Sequence, residues 1–304
     1  MAFFMDGPDG PNVSLDYQAI RDLPHNEAHR AYIERLWARY RPSGDGDAQF
    51  LKEAKVHFLQ RFWEMYLFCA LEDYGTTVQK TMGASGGPDF SFEIGGTKYW
   101  MEATAPRAGD GNNRVPFPQI GIHSYVPRDS ITLRYANALD TKFKNWLKWI
   151  DNKIVNTNDG CIIAVNGLGI PDADCGFDCP YILQSLFPVG PLAVNVDRVS
   201  LAVSEPYLLY EDTIRNQNGS PVNTAPFTDK NYSAVSAVMH SFAGFSSGAL
   251  PLGYDFLLVH NPCAHYPLPD GSFPWCTQYR FEHGMFTRID HDPKQLPVGV
   301  IDTA

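Results

Sequence analysis

Two acids stand where a β-strand favours neither: Asp89 and Glu102, in the stretch GGPDFSFEIGGTKYWMEATAP at residues 86–106. The stretch reads as two short strands joined by a Gly-Gly turn. Side chains on a strand alternate faces, so Trp100, Glu102 and Thr104 share one face while Tyr99, Met101 and Ala103 take the other. Asp89 opens the neighbouring strand, which allows its carboxylate to lie beside that of Glu102. Two carboxylates held together in a partly buried place repel each other, and the usual relief is a shared proton or a hard cation. Mg2+, or Mn2+ in its place, suits such oxygen ligands and keeps waters that can serve as nucleophile. A third acid, Glu64, is the only charged side chain in FWEMYLFCAL, Phe62 to Leu71. Burying it is costly without a partner; contact with water, or a salt bridge to Arg61 three residues back, accounts for it as well.

The elements that must position these acids follow from periodicity and breakers. A helix is expected from His25 to Tyr40, stopped by Pro42 and the SGDGD loop, and a second from Ala48 to Tyr74 with Gly75 at its end. The pieces TTVQKTM, PDFSFEI and KYWMEAT then read as an antiparallel meander. After an irregular loop at 107–128, a helix runs from Ile131 to Lys153 with Leu133, Ala136, Phe143, Leu147 and Ile150 as its buried stripe. Lys142, with Ala138 and Trp146 one turn to either side, sits at the edge of that stripe; an ordinary snorkelling lysine also fits there. GCIIAVNGL, with no polar alternation, reads as a central strand covered on both faces. Further on come a strand in RVSLAVSEPYLLY, a hairpin or loop at RNQNGSPVN, a helix near YSAVSAVMHSFA and a strand in DFLLVHNP, and the last forty residues read as an irregular wrap. The fold class is α/β, with an N-terminal helical extension at 1–47, a core at 48–170, and a C-terminal α/β extension at 171–304 packed on that core.

Bulk properties narrow the function. The 304 residues are 44% hydrophobic and 13% aromatic, enough for a sizeable core, and no apolar run is long enough to cross a bilayer. The start, MAFFMDGPDGPN, lacks the basic and apolar segments of a signal peptide, so a soluble, cytoplasmic chain without membrane contact is expected. A net charge of -10 argues against coating nucleic acid through a general positive field. Contact with phosphate would be local, and residues 128–153 concentrate six basic side chains against three acidic ones. Arg134, Asn137, Thr141, Lys144 and Lys148 follow one face of that helix, as suits phosphate contact, and a solvated face explains them equally. The six cysteines are too few for a disulfide framework. Cys175 and Cys179 have the look of half a zinc site, with HNPCAH and Cys276 as the other half, but without the tight two-residue spacing of such sites. His25 and His29 have their acid at the wrong place for a metalloprotease helix, and no GxSxG, P-loop or dinucleotide fingerprint occurs.

The order helix, three strands, helix, strand, with Pro88-Asp89 on one strand and Glu102-x-Thr104 on the next, resembles the PD-(D/E)XK nuclease superfamily, the restriction-endonuclease-like fold. The resemblance covers about Ala48 to Leu168. It implies a metal-dependent nuclease hydrolysing phosphodiester bonds, with Asp89 and Glu102 on Mg2+ and Glu64 joining the metal from the first core helix. The family pattern has Lys where Thr104 stands. Some members are similar in carrying the lysine on the following helix, which makes Lys142 the candidate and Lys98, on the same strand face as Glu102, a lesser one. The alternative implied by the missing lysine and the acidic balance is a catalytically inactive binding or scaffold protein of the same fold.

Overall fold

The computed structural model describes residues 1–5, 9–41, 47–81, 86–122 and 125–291. Six α-helices lie among them: α1 Leu15–Asp22, α2 Glu27–Tyr40, α3 Asp47–Val56, α4 Phe58–Asp73, α5 Arg128–Asp151 and the short α6 Tyr181–Gln184. The strands are β1 Gln79–Lys80, β2 Phe90–Ile94, β3 Thr97–Thr104, β4 Gly160–Asn166, β5 Val189–Ala193, β6 Tyr207–Tyr210, β7 Thr213–Arg215, β8 Pro221–Asn223, β9 Ala237–Ser241, β10 Leu257–His260, β11 Thr277–Glu282 and β12 Met285–Ile289. Eight of them form one mixed sheet in the order β1-β2-β3-β4-β9-β10-β11-β12. β5 with β6 and β7 with β8 make separate two-stranded ribbons.

β4 explains the layering. All seven of its residues are buried, and it runs parallel to β3 on one side and to β9 on the other. Ile162 and Ala164 join a core with Met101, Ala103, Met239 and α4. Cys161, Ile163 and Val165 join a second core with Val238 and α5. A strand whose alternate side chains both meet apolar neighbours must lie between two layers. α4 thus covers one face of the sheet and α5 the other, with the Trp63 indole of α4 donating to the Ala164 carbonyl at 3.1 Å.

α4 is buried on nearly every side, eleven of its sixteen side chains being inaccessible, because α2 and α3 cover it from outside. It closes as anticipated at Gly75, φ +79, where the Thr76 and Gly75 amides donate to the Leu71 and Glu72 carbonyls. This doubly bonded ending needs a residue in the left-handed region. The single helix expected over Ala48 to Tyr74 is two: His57, at φ -114 and ψ 48, separates α3 from α4.

Several other expectations change. YSAVSAVMHSFA contains β9, not a helix; an apolar run covered on both faces has no period that tells strand from helix. The irregular wrap of the last forty residues contains the β11–β12 hairpin as far as Ile289, and residues 292–304 lie outside the described residues. In RVSLAVSEPYLLY only Tyr207–Tyr210 is a strand, whereas RNQNGSPVN forms the expected hairpin, β7 with β8. α1 was not foreseen, and Leu147, placed in the buried stripe of α5, is exposed. Pro42 and residues 43–46 of the SGDGD loop also fall outside the described residues, and its last residue, Asp47, opens α3. Among the described residues no helix is long and apolar enough to cross a membrane.

Candidate functional site

The hairpin of β2 and β3 carries the two acids. Its turn is Gly95-Gly96, at φ +59 and +79, a left-handed pair that matches the twist of the flanking strands. The turn sets the register, pairing Ile94 with Thr97 and Phe90 with Met101. One residue further, Asp89 comes opposite Glu102. The half-buried Asp89 is fixed there by the Ala103 amide, which donates to its Oδ2 at 2.7 Å.

Glu102 faces α5, as its parity requires. The Lys142 ammonium donates to Glu102 Oε1 at 2.5 Å, while Oε2 is buried without a hydrogen-bond partner. Lys142 lies fourteen residues into α5, beside the buried Phe143 and Leu139, so the helix holds its stem against the core.

Glu64 reaches the same region from α4 on the opposite layer. It is buried and accepts from Gln60 Nε2 at 3.0 Å and from Arg61 Nη1 at 2.7 and 2.6 Å. Arg61 also bonds through Nη2 to Glu53 of α3, across the break at His57. Gln60 ties the helix to the end of β3: its Oε1 accepts from the Ala105 amide at 2.8 Å and its Nε2 donates to the Ala103 carbonyl at 3.2 Å.

Charge is the outcome of this geometry. Burial, then the negative charge of Asp89, pushes the Glu64 carboxyl up to about 7, against the pull of Arg61. Burial, then Glu102, pushes Asp89 up to about 7, against the pull of Lys142. Glu102 is raised by burial, with Lys142 opposing. Each of the three acids thus holds its proton more tightly, first because the place is poorly solvated and then because its neighbours are negative. At neutral pH such a cluster is relieved by protons or by a cation. The buried Glu102 Oε2 is an acceptor that no donor of the chain satisfies.

Among the described residues no group of three or more His, Cys, Asp and Glu side chains is set to hold a metal ion. The pair Asp89 and Glu102 fits the sparser mode of Mg2+, which takes one or two carboxylates and completes its shell with water. The other expected residues divide. Thr104 ends β3 half-buried, in register with Val165. Lys98 lies over the Trp100 ring, 4.1 Å from its centre, and so is turned to the indole. Arg134 donates to the Arg107 carbonyl at 2.8 Å, and Lys144 pairs with Asp140. Cys175 is half-buried and Cys179 buried, in no metal-holding group. His29 bonds to Asn26 rather than to His25.

Gln60 and Glu53 were not anticipated. Gln60 stands one turn before Glu64, a spacing visible in the chain; Glu53 comes into reach only through the break at His57. No family model matches this chain, and neither a curated protein nor a solved structure matches it.

Proposed function

We propose that the chain is a divergent metal-dependent nuclease, hydrolysing phosphodiester bonds of nucleic acid on a restriction-endonuclease-like core at about 48–170, with 171–304 extending the sheet. The observation that carries this is the convergence of Asp89, Glu102 and Lys142 from two strands and the following helix, with the Glu102 Oε2 buried and unpartnered. The order α4, β2–β3 hairpin, α5, and β4 parallel to β3 supports it.

Each residue has a task set by its surroundings. Asp89 and Glu102 present carboxylate oxygens on neighbouring strands, and Mg2+ or Mn2+ bound there would lower the pKa of a water and offset charge on phosphate. Glu64, held by Arg61 and Gln60, adds negative potential to that place and would complete the metal's shell directly or through water. Lys142, already 2.5 Å from Glu102, supplies the ammonium that the strand lacks at Thr104; it orients a donor toward the phosphoryl oxygens and counters their charge. Thr104 contributes a hydroxyl at the end of the same strand.

A second reading is favoured by one observation: Lys142 and Arg61 already neutralise Glu102 and Glu64. A site so paired serves as a scaffold without chemistry, a nucleic-acid or protein binder with the same core.

Calorimetric titration with Mn2+ and Mg2+ separates the two. Under the nuclease reading the wild type takes up Mn2+ at neutral pH, Asp89→Asn does not, and cleavage of nucleic acid requires the cation. No heat from either cation and no cleavage leaves the scaffold.

A further inference from the structure

The parallel strands β3 and β4 end side by side, and beyond their carboxyl ends opens a cleft of about 910 Å³. Ligand sites in α/β sheets favour this position. Arg107 follows β3, Arg114 lies in the next loop and Arg134 comes from α5, and all three line the cleft. The arginines that form salt bridges within this half of the chain lie elsewhere, as with Arg39, Arg61 and Arg128; among the described residues these three form none. Asp16 and Asp110 also line the cleft without pairing to them.

Two further features show what such a cluster is built to meet. Arg134 packs so tightly on Gly109, φ +86, that a Cβ there would come within 2.8 Å of its Nη1. The Arg134 Nε is bonded to the Arg107 carbonyl, which fixes the direction of the guanidinium. The rim is apolar and open: Phe117 is 59% exposed, Leu15 80% and Leu168 44%. The Arg114 guanidinium lies 5.6 Å from the centre of the Phe117 ring.

Guanidiniums without acid partners ask for anions, and an exposed aromatic ring beside one of them asks for a flat apolar partner. A nucleic-acid strand with unstacked bases supplies both, whereas a duplex hides its base faces. We propose that this cleft holds an unpaired stretch of nucleic-acid strand, its phosphates on Arg107, Arg114 and Arg134 and a base on Phe117. The proposal rests on the nuclease reading for its substrate class. α5 joins the two places: Arg134 precedes Lys142 by eight residues, about 12 Å along the helix. The cleft and the acid cluster thus share one helix.

The test is binding of short labelled oligothymidylate, oligouridylate and a duplex of equal length, followed by fluorescence anisotropy in EDTA so that no cleavage intervenes. Both single strands bind at least about fivefold more tightly than the duplex, Arg114→Glu weakens them about tenfold, and Phe117→Ala about fivefold. Arg114→Glu also flattens the dependence of log affinity on log salt by about 0.7 or more. Arg288→Glu, an exposed change on β12, has less than about a twofold effect if the contacts are local. Equal affinity for duplex, or an equal loss with Arg288→Glu, overturns the proposal. Single-strand binding lost in Arg114→Glu and Phe117→Ala, without cleavage when Mg2+ is restored, upholds the cleft and sinks the nuclease reading. Cleavage by a protein whose binding ignores both substitutions does the reverse.

Discussion

The Lys142 ammonium of α5 lies 2.5 Å from Oε1 of Glu102 on β3, joining two elements on one face of the sheet across forty residues of chain. Both side chains are largely withdrawn from water, so the pair is held by geometry as much as by charge. Replacing Lys142 with Met keeps the stem and removes the ammonium, leaving a buried carboxylate without its partner. The loss of one member of such a pair costs about 3 kcal/mol. Unpairing raises the folded-state pKa of Glu102 still further, so the cost is absent below its unfolded value, near pH 4, and grows as pH rises. Thermal melts of Lys142→Met and wild type at pH 4.5 and 7.5 measure this; a deficit independent of pH contradicts it.

The hairpin that sets Asp89 opposite Glu102 was legible because strand alternation and a Gly-Gly turn are local signals. Glu64 was legible as an oddity, one acid in a run of apolar residues, and its salt bridge to Arg61 followed from a three-residue spacing. What sequence hid were contacts between elements far apart in the chain. β9 carries the same apolar run as a buried helix would, and only its pairing between β4 and β10 decides for a strand. Glu53 meets Arg61 only because the helix breaks at His57, where no proline or glycine announces it.

Arg61 and Glu64 are the second buried pair. Arg61→Leu strands Glu64, which is more deeply buried than its partner, and costs about 3 kcal/mol. Adding Glu64→Leu removes the stranded charge, so the double variant recovers much of the loss, with a coupling on the order of 2 kcal/mol. Urea denaturation of the four proteins of the cycle gives the number. Additive losses would mean that the two side chains do not act together.

Asp89 and Glu64 both titrate near 7 when folded, far above their unfolded values near 4. Between these limits the folded chain holds more protons than the unfolded one, so stability falls as pH rises, by about 1.4 kcal/mol per pH unit for each carboxyl titrating alone. Asp89→Asn removes one of these groups and relieves Glu64 of its charge. The variant gains on the wild type between roughly pH 4 and 7, keeps that advantage at pH 7.5, and loses it at pH 4. Under the nuclease reading, Mn2+ binds the ionised acids and raises the wild-type melting temperature at pH 7.5 but not at pH 5. A melting temperature that rises with pH from 4 to 7 in the wild type, and equally in Asp89→Asn, would falsify the sign of both shifts.

Gly160 opens β4 beside Tyr99 of β3, and the space between them is closed: a Cβ on Gly160 would meet the Tyr99 ring at 2.3 Å. Its backbone carries no unusual φ, so the requirement for glycine here is one of volume, not of conformation. The ring cannot step aside, because Tyr99 is buried and its hydroxyl donates to the Pro267 carbonyl at 2.8 Å. Gly160→Ala must therefore push apart the strand pair that carries Glu102, at a cost of about 1–3 kcal/mol. Tyr99→Leu removes the ring, the closer of the alanine's two contacts, at its own price in packing, and leaves only the Ser236 Oγ at 3.0 Å. The double variant is accordingly more stable than the sum of the two single losses allows, by on the order of 1 kcal/mol. Chemical denaturation of the two single variants and the double variant reads this directly. Strict additivity would show that β4 relaxes away from Tyr99 and that the pairing of β3 with β4 gives way more easily than their close contact implies.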